Sequence, residues 1–188
     1  MVSGYRFIFW GLILATFHIN IGMLPILPVF VGYLNMAHGV RLIREEYSSP
    51  QLDKAYLITY LLAVLGIIGQ VITWLGRSND WIRLLPAAYG VLELFFMYYL
   101  LEGSMVFFHD NGREALEIEY KGKLSLFIAA ELLFIIAILI GSVMMNQGIL
   151  LIASIAGVIL RIWMMILVSG LKSEREDRSD EKNEEVQD

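Results

Sequence analysis

Residues 123–145 read KLSLFIAAELLFIIAILIGSVMM, a run whose interior carries one charged side chain, Glu131. A helix needs about 20 mostly apolar residues to cross the ~30 Å hydrocarbon layer of a bilayer. Three further runs, at about 55–77, 82–106 and 149–172, are long and apolar enough to do the same. The sequence therefore predicts an all-α, polytopic transmembrane helix bundle that contacts the lipid bilayer.

The overall composition agrees with a membrane protein. Hydrophobic residues make up 57% of the chain and charged residues 18%, with a mean hydropathy of +0.64, whereas soluble domains are about 45–50% apolar and 25% charged. The net charge of −5 comes from residues 173–188, which hold eight carboxylates and three bases. This balance argues against nucleic acid as a partner, because binding it requires a basic surface. The lack of cysteine excludes disulfides and thiolate chemistry.

The amino-terminal apolar stretch, residues 5–43, permits two interpretations because it is too long for one straight span and contains Gly22, Pro25 and Pro28. In the first, one kinked or re-entrant element occupies the stretch, and the protein has five spans. In the second, residues 7–22 form one span, the chain turns at 23–25, and residues 28–43 return. The protein then has six spans arranged as three hairpins.

The distribution of basic residues favours six spans, since Lys and Arg in short loops stay on the cytoplasmic side. With six spans, 11 of these basic residues lie on the cytoplasmic side and 2 on the outer side. With five spans, the numbers are 10 and 3. We therefore expect both termini to be cytoplasmic. The bundle should comprise residues 1–172, and residues 173–188 should form a disordered acidic tail that can extend the last helix by one or two turns.

Two local patterns bear on the arrangement of the spans. The second helices of the three hairpins share a faint repeat, in which Pro28 precedes Gly32, Pro86 precedes Gly90, and the third hairpin keeps Gly157. Residues 109–122 form the longest polar connection. Alternating apolar and acidic side chains at 115–120 fit either a solvated connector or a short amphipathic piece on the membrane surface.

Three charged residues fall deep inside the predicted spans, where each charge costs about 2.5–3.5 kcal/mol and calls for a partner or a wet cavity. At ~1.5 Å per residue, Glu93 and Arg161 lie about 18 Å from the outer end of their spans and Glu131 about 21 Å. They share one level near the midplane. Asn35, at about 15 Å, could join them.

The charges of this group do not balance. The guanidinium of Arg161 should pair with Glu93, with Glu131 or with both. One carboxyl group must then hold a proton, or a cation or cationic ligand must supply the missing charge. The alternative is a purely structural pair that fixes how the helices pack.

Further polar residues give weaker signals. His18, Asn20 and Gln70 form a secondary polar set near the outer face, and His38 lies somewhat below the midplane. The hairpin residues Pro25, Pro28 and Gly32 could line or gate a site. Neither metal-ligand helix spacing nor a recognised catalytic, phosphate-loop or dinucleotide motif occurs, so we expect no cofactor and no metal.

The segment of residues 21–34, IGMLPILPVFVGYL, resembles the amino-terminal signature of small uncharacterised polytopic membrane proteins of Gram-positive bacteria. The likeness rests on its Ile-Gly, Leu-Pro and Gly-Tyr pairs. Val29 stands where those proteins usually carry an acidic residue. The resemblance implies a bacterial plasma membrane and a special role for the hairpin, and it transfers no function.

The sequence thus leaves two functions open. The first is a carrier-like or ligand-binding membrane protein whose midplane site takes a small molecule, a proton or a cation. The second is a non-transporting regulatory or assembly subunit, which holds a membrane partner with its helices and a cytoplasmic protein with its tail. An intramembrane hydrolase or transferase ranks last.

Overall fold

The computed structural model describes residues 2–17, 20–21, 24–25, 28–75 and 84–185. Six helices account for most of this part of the chain: α1 Val2–Thr16, α2 Val29–Glu46, α3 Pro50–Trp74, α4 Leu85–Asp110, α5 Glu114–Val143 and α6 Gln147–Glu185. Between α1 and α2, the short strands β1 (Asn20–Ile21) and β2 (Leu24–Pro25) pair antiparallel. The predicted helical fold is confirmed, and the short ladder agrees with a reversal of the chain between α1 and α2.

The helices form a closed ring. Each helix packs against the next one in the chain, and α6 also packs against α1. Neighbouring helices run in opposite directions; on α1 and α2, for example, Gly4 lies beside Ile43 and Gly11 beside Met36. We call the end where α1, α3 and α5 finish the hairpin end, and the opposite end the termini end.

Local sequence signals explain several helix boundaries. Pro28 precedes α2 in an extended conformation, and Pro86 stands in the first turn of α4, where a missing N–H costs little. The side-chain oxygen of Asn146 accepts hydrogen bonds from the backbone N–H groups of Gly148 (3.0 Å) and Ile149 (3.2 Å), and so caps the start of α6. After α4, Gly112 adopts a positive φ of 71°, which glycine tolerates without strain.

Within the described part of the chain, four helices are long and apolar enough to cross a membrane: Pro50–Ile72, Leu85–Asp110, Glu114–Val143 and Gln147–Glu174. They correspond to the four runs that the sequence predicts as spans. Large apolar side chains such as Leu133, Ile152 and Ile166 point away from the bundle. The count of six spans depends on α1 and α2, which are not among these four helices, and it stays a prediction.

The sequence predicted a polar connection over residues 109–122. This prediction is wrong, because α4 continues to Asp110 and α5 begins at Glu114. Helical periodicity outweighs the alternating pattern here. Tyr120 is buried against Phe108, with ring centroids 5.8 Å apart, and Leu116, one turn earlier on the same face, packs on the core. Burial of this face stabilises the segment as the first turns of α5.

The carboxyl end of α6 is also longer than expected. The helix continues to Glu185, whereas the sequence suggested an extension of one or two turns. Arg113, in the connection between α4 and α5, donates a hydrogen bond to the backbone oxygen of Glu174 at 2.9 Å. The division into a bundle and an acidic tail stays a prediction.

Glycines allow α1 and α2 to approach until their backbones touch. A Cβ on Gly32 would lie 2.6 Å from the backbone nitrogen of Ala15 and 2.6 Å from the carbonyl oxygen of Gly11. Gly39 meets the backbone of Gly4 in the same way, at 2.5 Å from its carbonyl oxygen. Small residues that permit such close approach are a common device of helix packing in membranes.

We expect Gly32→Ala to lower the free energy of unfolding by at least about 1–3 kcal/mol, because the new methyl group would collide with backbone atoms that cannot rotate away. The matched control is Gly122→Ala on α5, where a Cβ meets nothing within 4 Å. That substitution should be neutral or stabilising by roughly 0.5–1 kcal/mol. Unfolding of the purified protein in detergent, followed by circular dichroism, compares the two. Equal stabilities would contradict the close contact between α1 and α2.

Candidate functional site

Glu93 of α4 and Arg161 of α6 form an ion pair inside the bundle. Nη2 of Arg161 donates to Oε1 of Glu93 at 2.8 Å, and Nε donates to Oε2 at 3.3 Å. The planar guanidinium therefore meets the carboxylate with two hydrogen bonds, which fixes their relative orientation. The side chain of Glu93 is 6% exposed and that of Arg161 is 25% exposed.

Tyr33 of α2 completes this cluster. Its hydroxyl group donates to Oε1 of Glu93 at 2.7 Å, and the whole residue is buried. The ring of Tyr33 stacks on that of Tyr89, with centroids 6.1 Å apart and planes inclined by 16°. The carboxylate of Glu93 thus links α2, α4 and α6, which are alternate members of the ring of helices.

Glu131 of α5 is the third charged residue at this level, and it has no hydrogen-bond or ion-pair partner among the described residues. Only 2% of the residue is exposed. Its Oε1 lies 3.3 Å from the point that a Cβ on Gly90 would occupy, so glycine at position 90 gives the carboxyl group room beside α4. Within the described ranges, Glu131 makes neither a hydrogen bond nor an ion-pair contact.

A cavity of about 460 Å³ lies beside these residues, between α1, α2, α4, α5 and α6. Glu93, Glu131 and Arg161 all contribute to its wall. From this charged level the cavity extends towards the hairpin end, where Thr16 and Val29 line it. Most of the remaining wall is apolar or aromatic, formed by Ala15, Tyr33, Pro86, Tyr89, Phe134, Ile138, Val158 and Leu160.

Two glycines of the faint repeat shape the wall through Phe134. The ring of this residue lies 3.3 Å from a Cβ placed on Gly90 of α4 and 2.9 Å from one placed on Gly157 of α6. Phe134 of α5 therefore fits between two helices at positions where neither has a side chain. Larger residues at either glycine would force the ring to move.

Asn35, His38 and Gln70 lie apart from this cluster. Asn35 has a similar depth, but its Nδ2 donates to the carbonyl oxygen of Phe7 on α1 at 2.9 Å. His38 packs edge-on against the ring of Phe7, and Gln70 lies half-buried on α3, a helix that does not line the cavity. His18 falls outside the described residues, as do the side chains of Asn20 and Pro25. Pro28 and Gly32 adjoin the lining residues Val29 and Tyr33.

Sequence reasoning missed the aromatic members of the site. Tyr33, Tyr89 and Phe134 stand in apolar helices, where an aromatic residue carries no signal that separates a cavity wall from an ordinary core. The one available hint was positional, because Tyr33 directly follows the repeat glycine Gly32 and Tyr89 directly precedes Gly90.

No protein family, curated protein or solved structure was found to match this chain.

The ion pair yields a direct test. We expect Glu93→Gln and Arg161→Met each to destabilise the protein, by as much as about 3–5 kcal/mol, since each leaves a buried group unpaired. The double variant should cost clearly less than the sum of the two. Glu131→Gln should be neutral or stabilising, because it replaces a buried ionisable group that has no described partner with a neutral one of similar size. Unfolding in detergent measures the stability of the three single variants and the double variant. Additive effects of Glu93→Gln and Arg161→Met would contradict direct pairing.

Proposed function

We propose that this protein is a small carrier-like membrane protein that binds a ligand in the cavity beside Glu131. The observation that carries the proposal is a buried carboxyl group with no described partner, facing a cavity of about 460 Å³. Ligand sites in proteins typically have volumes of about 300–1,000 Å³ and mostly apolar walls with few polar groups.

The balance of charge supports binding over a purely structural role. A structural ion pair is complete with Glu93 and Arg161, and it gains nothing from a second buried acid close by. A charge within the membrane is costly and marks a functional site by default. The rival role, a regulatory or assembly subunit, requires no cavity next to the unpaired acid.

The two aliphatic hydroxyl groups of the wall, those of Thr16 and Ser154, support binding over catalysis. Thr16 donates to the carbonyl oxygen of Leu12 at 2.7 Å, and Ser154 donates to that of Leu150 at 2.8 Å. Both hydroxyl protons are thus directed at the helix backbone. An activated nucleophile instead directs its proton at a general base.

Six spans with both termini on the cytoplasmic side form part of the proposal. Helix α1 has contacts along its length with α2 and closes the ring against α6. The cavity is lined by Ala15 of α1 and Val29 of α2 as well as by three of the four long apolar helices. We assign the gate of the cavity to the α1–α2 hairpin, which contains Pro25, Pro28 and Gly32, because Pro28 and Gly32 directly precede the lining residues Val29 and Tyr33 at the hairpin end.

The topology can be tested with single cysteines, since the natural chain has none. We expect cysteines at positions Ser3 and Ser48 to react with a membrane-impermeant thiol reagent from one side. Cysteines at Asn20 and Asn146 should react from the other side. A comparison of labelling in intact cells with labelling in inside-out vesicles shows on which side of the membrane each cysteine lies. Six spans would be contradicted if the cysteines at positions Ser3 and Ser48 reacted from opposite sides. They would also be contradicted if the cysteine at Asn20 reacted from the same side as that at Ser48.

Access of water to the cavity has a matched pair of test positions. Ser154 lines the cavity, whereas Ile155, its neighbour at the same depth, lies 56% exposed on the bundle surface. We expect Ser154→Cys to react with a water-soluble methanethiosulfonate and Ile155→Cys to stay unreactive in vesicles, because a thiol in lipid does not ionise. Mass spectrometry counts the modified fraction. An inert thiol at both positions would contradict a wet binding cavity.

A further inference from the structure

The geometry points to a ligand class for this cavity: an organic monocation with an apolar body, such as a hydrophobic amine in its protonated form or a quaternary ammonium. The inference rests on the proposed function and makes it more specific. The cationic group would lie at Glu131, and the apolar body would extend towards the hairpin end.

The sign of the ligand follows from the charges on the wall. Among the described lining residues, the charged side chains are Glu93, Glu131 and Arg161. Arg161 is engaged by Glu93 through two hydrogen bonds, and this leaves one carboxylate uncompensated. One positive charge restores neutrality in a setting where water screens little. An anionic ligand would add a second uncompensated negative charge and is disfavoured.

The donor set argues for an organic cation over a metal ion. Hard cations such as Ca²⁺ require six to eight oxygen ligands, and Mg²⁺ an octahedron. The described residues contain no group of three His, Cys, Asp or Glu side chains that could hold a metal ion. Glu131 brings one carboxyl group, and the hydroxyl groups of Thr16 and Ser154 stand nearer the hairpin end. A cation with a diffuse charge needs fewer oxygen ligands.

The remaining wall suits such a cation. Tyr89 and Phe134 bring aromatic rings to the cavity at the level of the carboxylate, and Tyr33 stacks on Tyr89. Aromatic rings attract ammonium groups, most strongly when water is excluded. Ala15, Val29, Pro86 and Ile138 offer apolar surface nearer the hairpin end. A proton alone would neutralise Glu131, but it would not account for the cavity of about 460 Å³ beside it.

The test compares a cation with its neutral isostere on the full-length protein in detergent. The probe is radiolabelled benzyltrimethylammonium, and the competitor is neopentylbenzene, in which carbon replaces the charged nitrogen. We expect saturable binding of one cation per chain. The neutral competitor should bind about thirtyfold more weakly, the factor that corresponds to a desolvated cation–π contact of about 2 kcal/mol.

Two substitutions locate the charge that is recognised. Glu131→Gln should weaken binding of the cation about tenfold or more, because it removes the charge that pairs with the ligand, and leave binding of neopentylbenzene unchanged. Glu102→Gln, on α4 and outside the cavity wall, should change neither. The comparison of cation with isostere needs no variant, so it stands even if Glu131→Gln fails to fold.

The outcomes separate this inference from the proposed function. If neopentylbenzene binds as tightly as the cation, the cavity binds ligands but the cationic class is wrong. If neither probe binds and a cysteine at Ser154 is reactive, the cationic class is again overturned and the wet cavity stands. If neither probe binds and that cysteine is inert, the proposed function fails as well.

Discussion

The guanidinium of Arg161 is the constraint on which the interior of this bundle depends. It stays charged under all ordinary conditions, so a helix that carries it into the bundle must deliver it to an acceptor. Glu93 meets that need with both carboxylate oxygens, and Tyr33 donates to the same carboxylate. One acid thereby connects α2, α4 and α6. Because Glu93 is fully engaged, it leaves Glu131 as a second acid with no described partner.

Close packing and open space are distributed unequally over the ring. Where α1 meets α2, glycines at positions 4, 11, 32 and 39 bring the two backbones into contact and leave no room between them. Beside α5, glycines at 90 and 157 have another effect, because a single large side chain, Phe134, fits against both. A large ring held between helices keeps them from closing completely. The cavity adjoins that ring, at the level of the charged residues.

The sequence predicted the depth of the charged residues better than their direction. The fixed rise of a helix determines depth, so Glu93, Glu131 and Arg161 could be assigned to one level by counting. The rotation of each helix about its axis is set by tertiary packing, which counting does not reveal. Asn35 illustrates this, since it lies at a comparable depth but faces α1, where it bonds to the backbone of Phe7. The aromatic wall could not be predicted for the same reason.

Local patterns failed in a related way at residues 114–122. Alternation of apolar and acidic residues over six positions suggested a surface segment. The same residues also place Leu116 and Tyr120 on one helical face, and burial of that face against Phe108 decides the outcome. A short segment fits more than one periodicity, and the packing partner selects between them. The partner here lies outside the segment, on the preceding helix, so the segment alone does not identify it.

The presence of Glu131 is the strongest reason to regard the cavity as more than a packing defect. Glutamine would fill nearly the same volume at this position without a charge. A carboxylate in the same place carries a desolvation cost that the folded protein alone does not recover, because Gly90 offers it space but no hydrogen bond from a side chain. A cation that enters the cavity would recover that cost on binding. Under the proposed function, the interaction that Glu131 lacks among the described residues would be the one that gives a ligand its affinity.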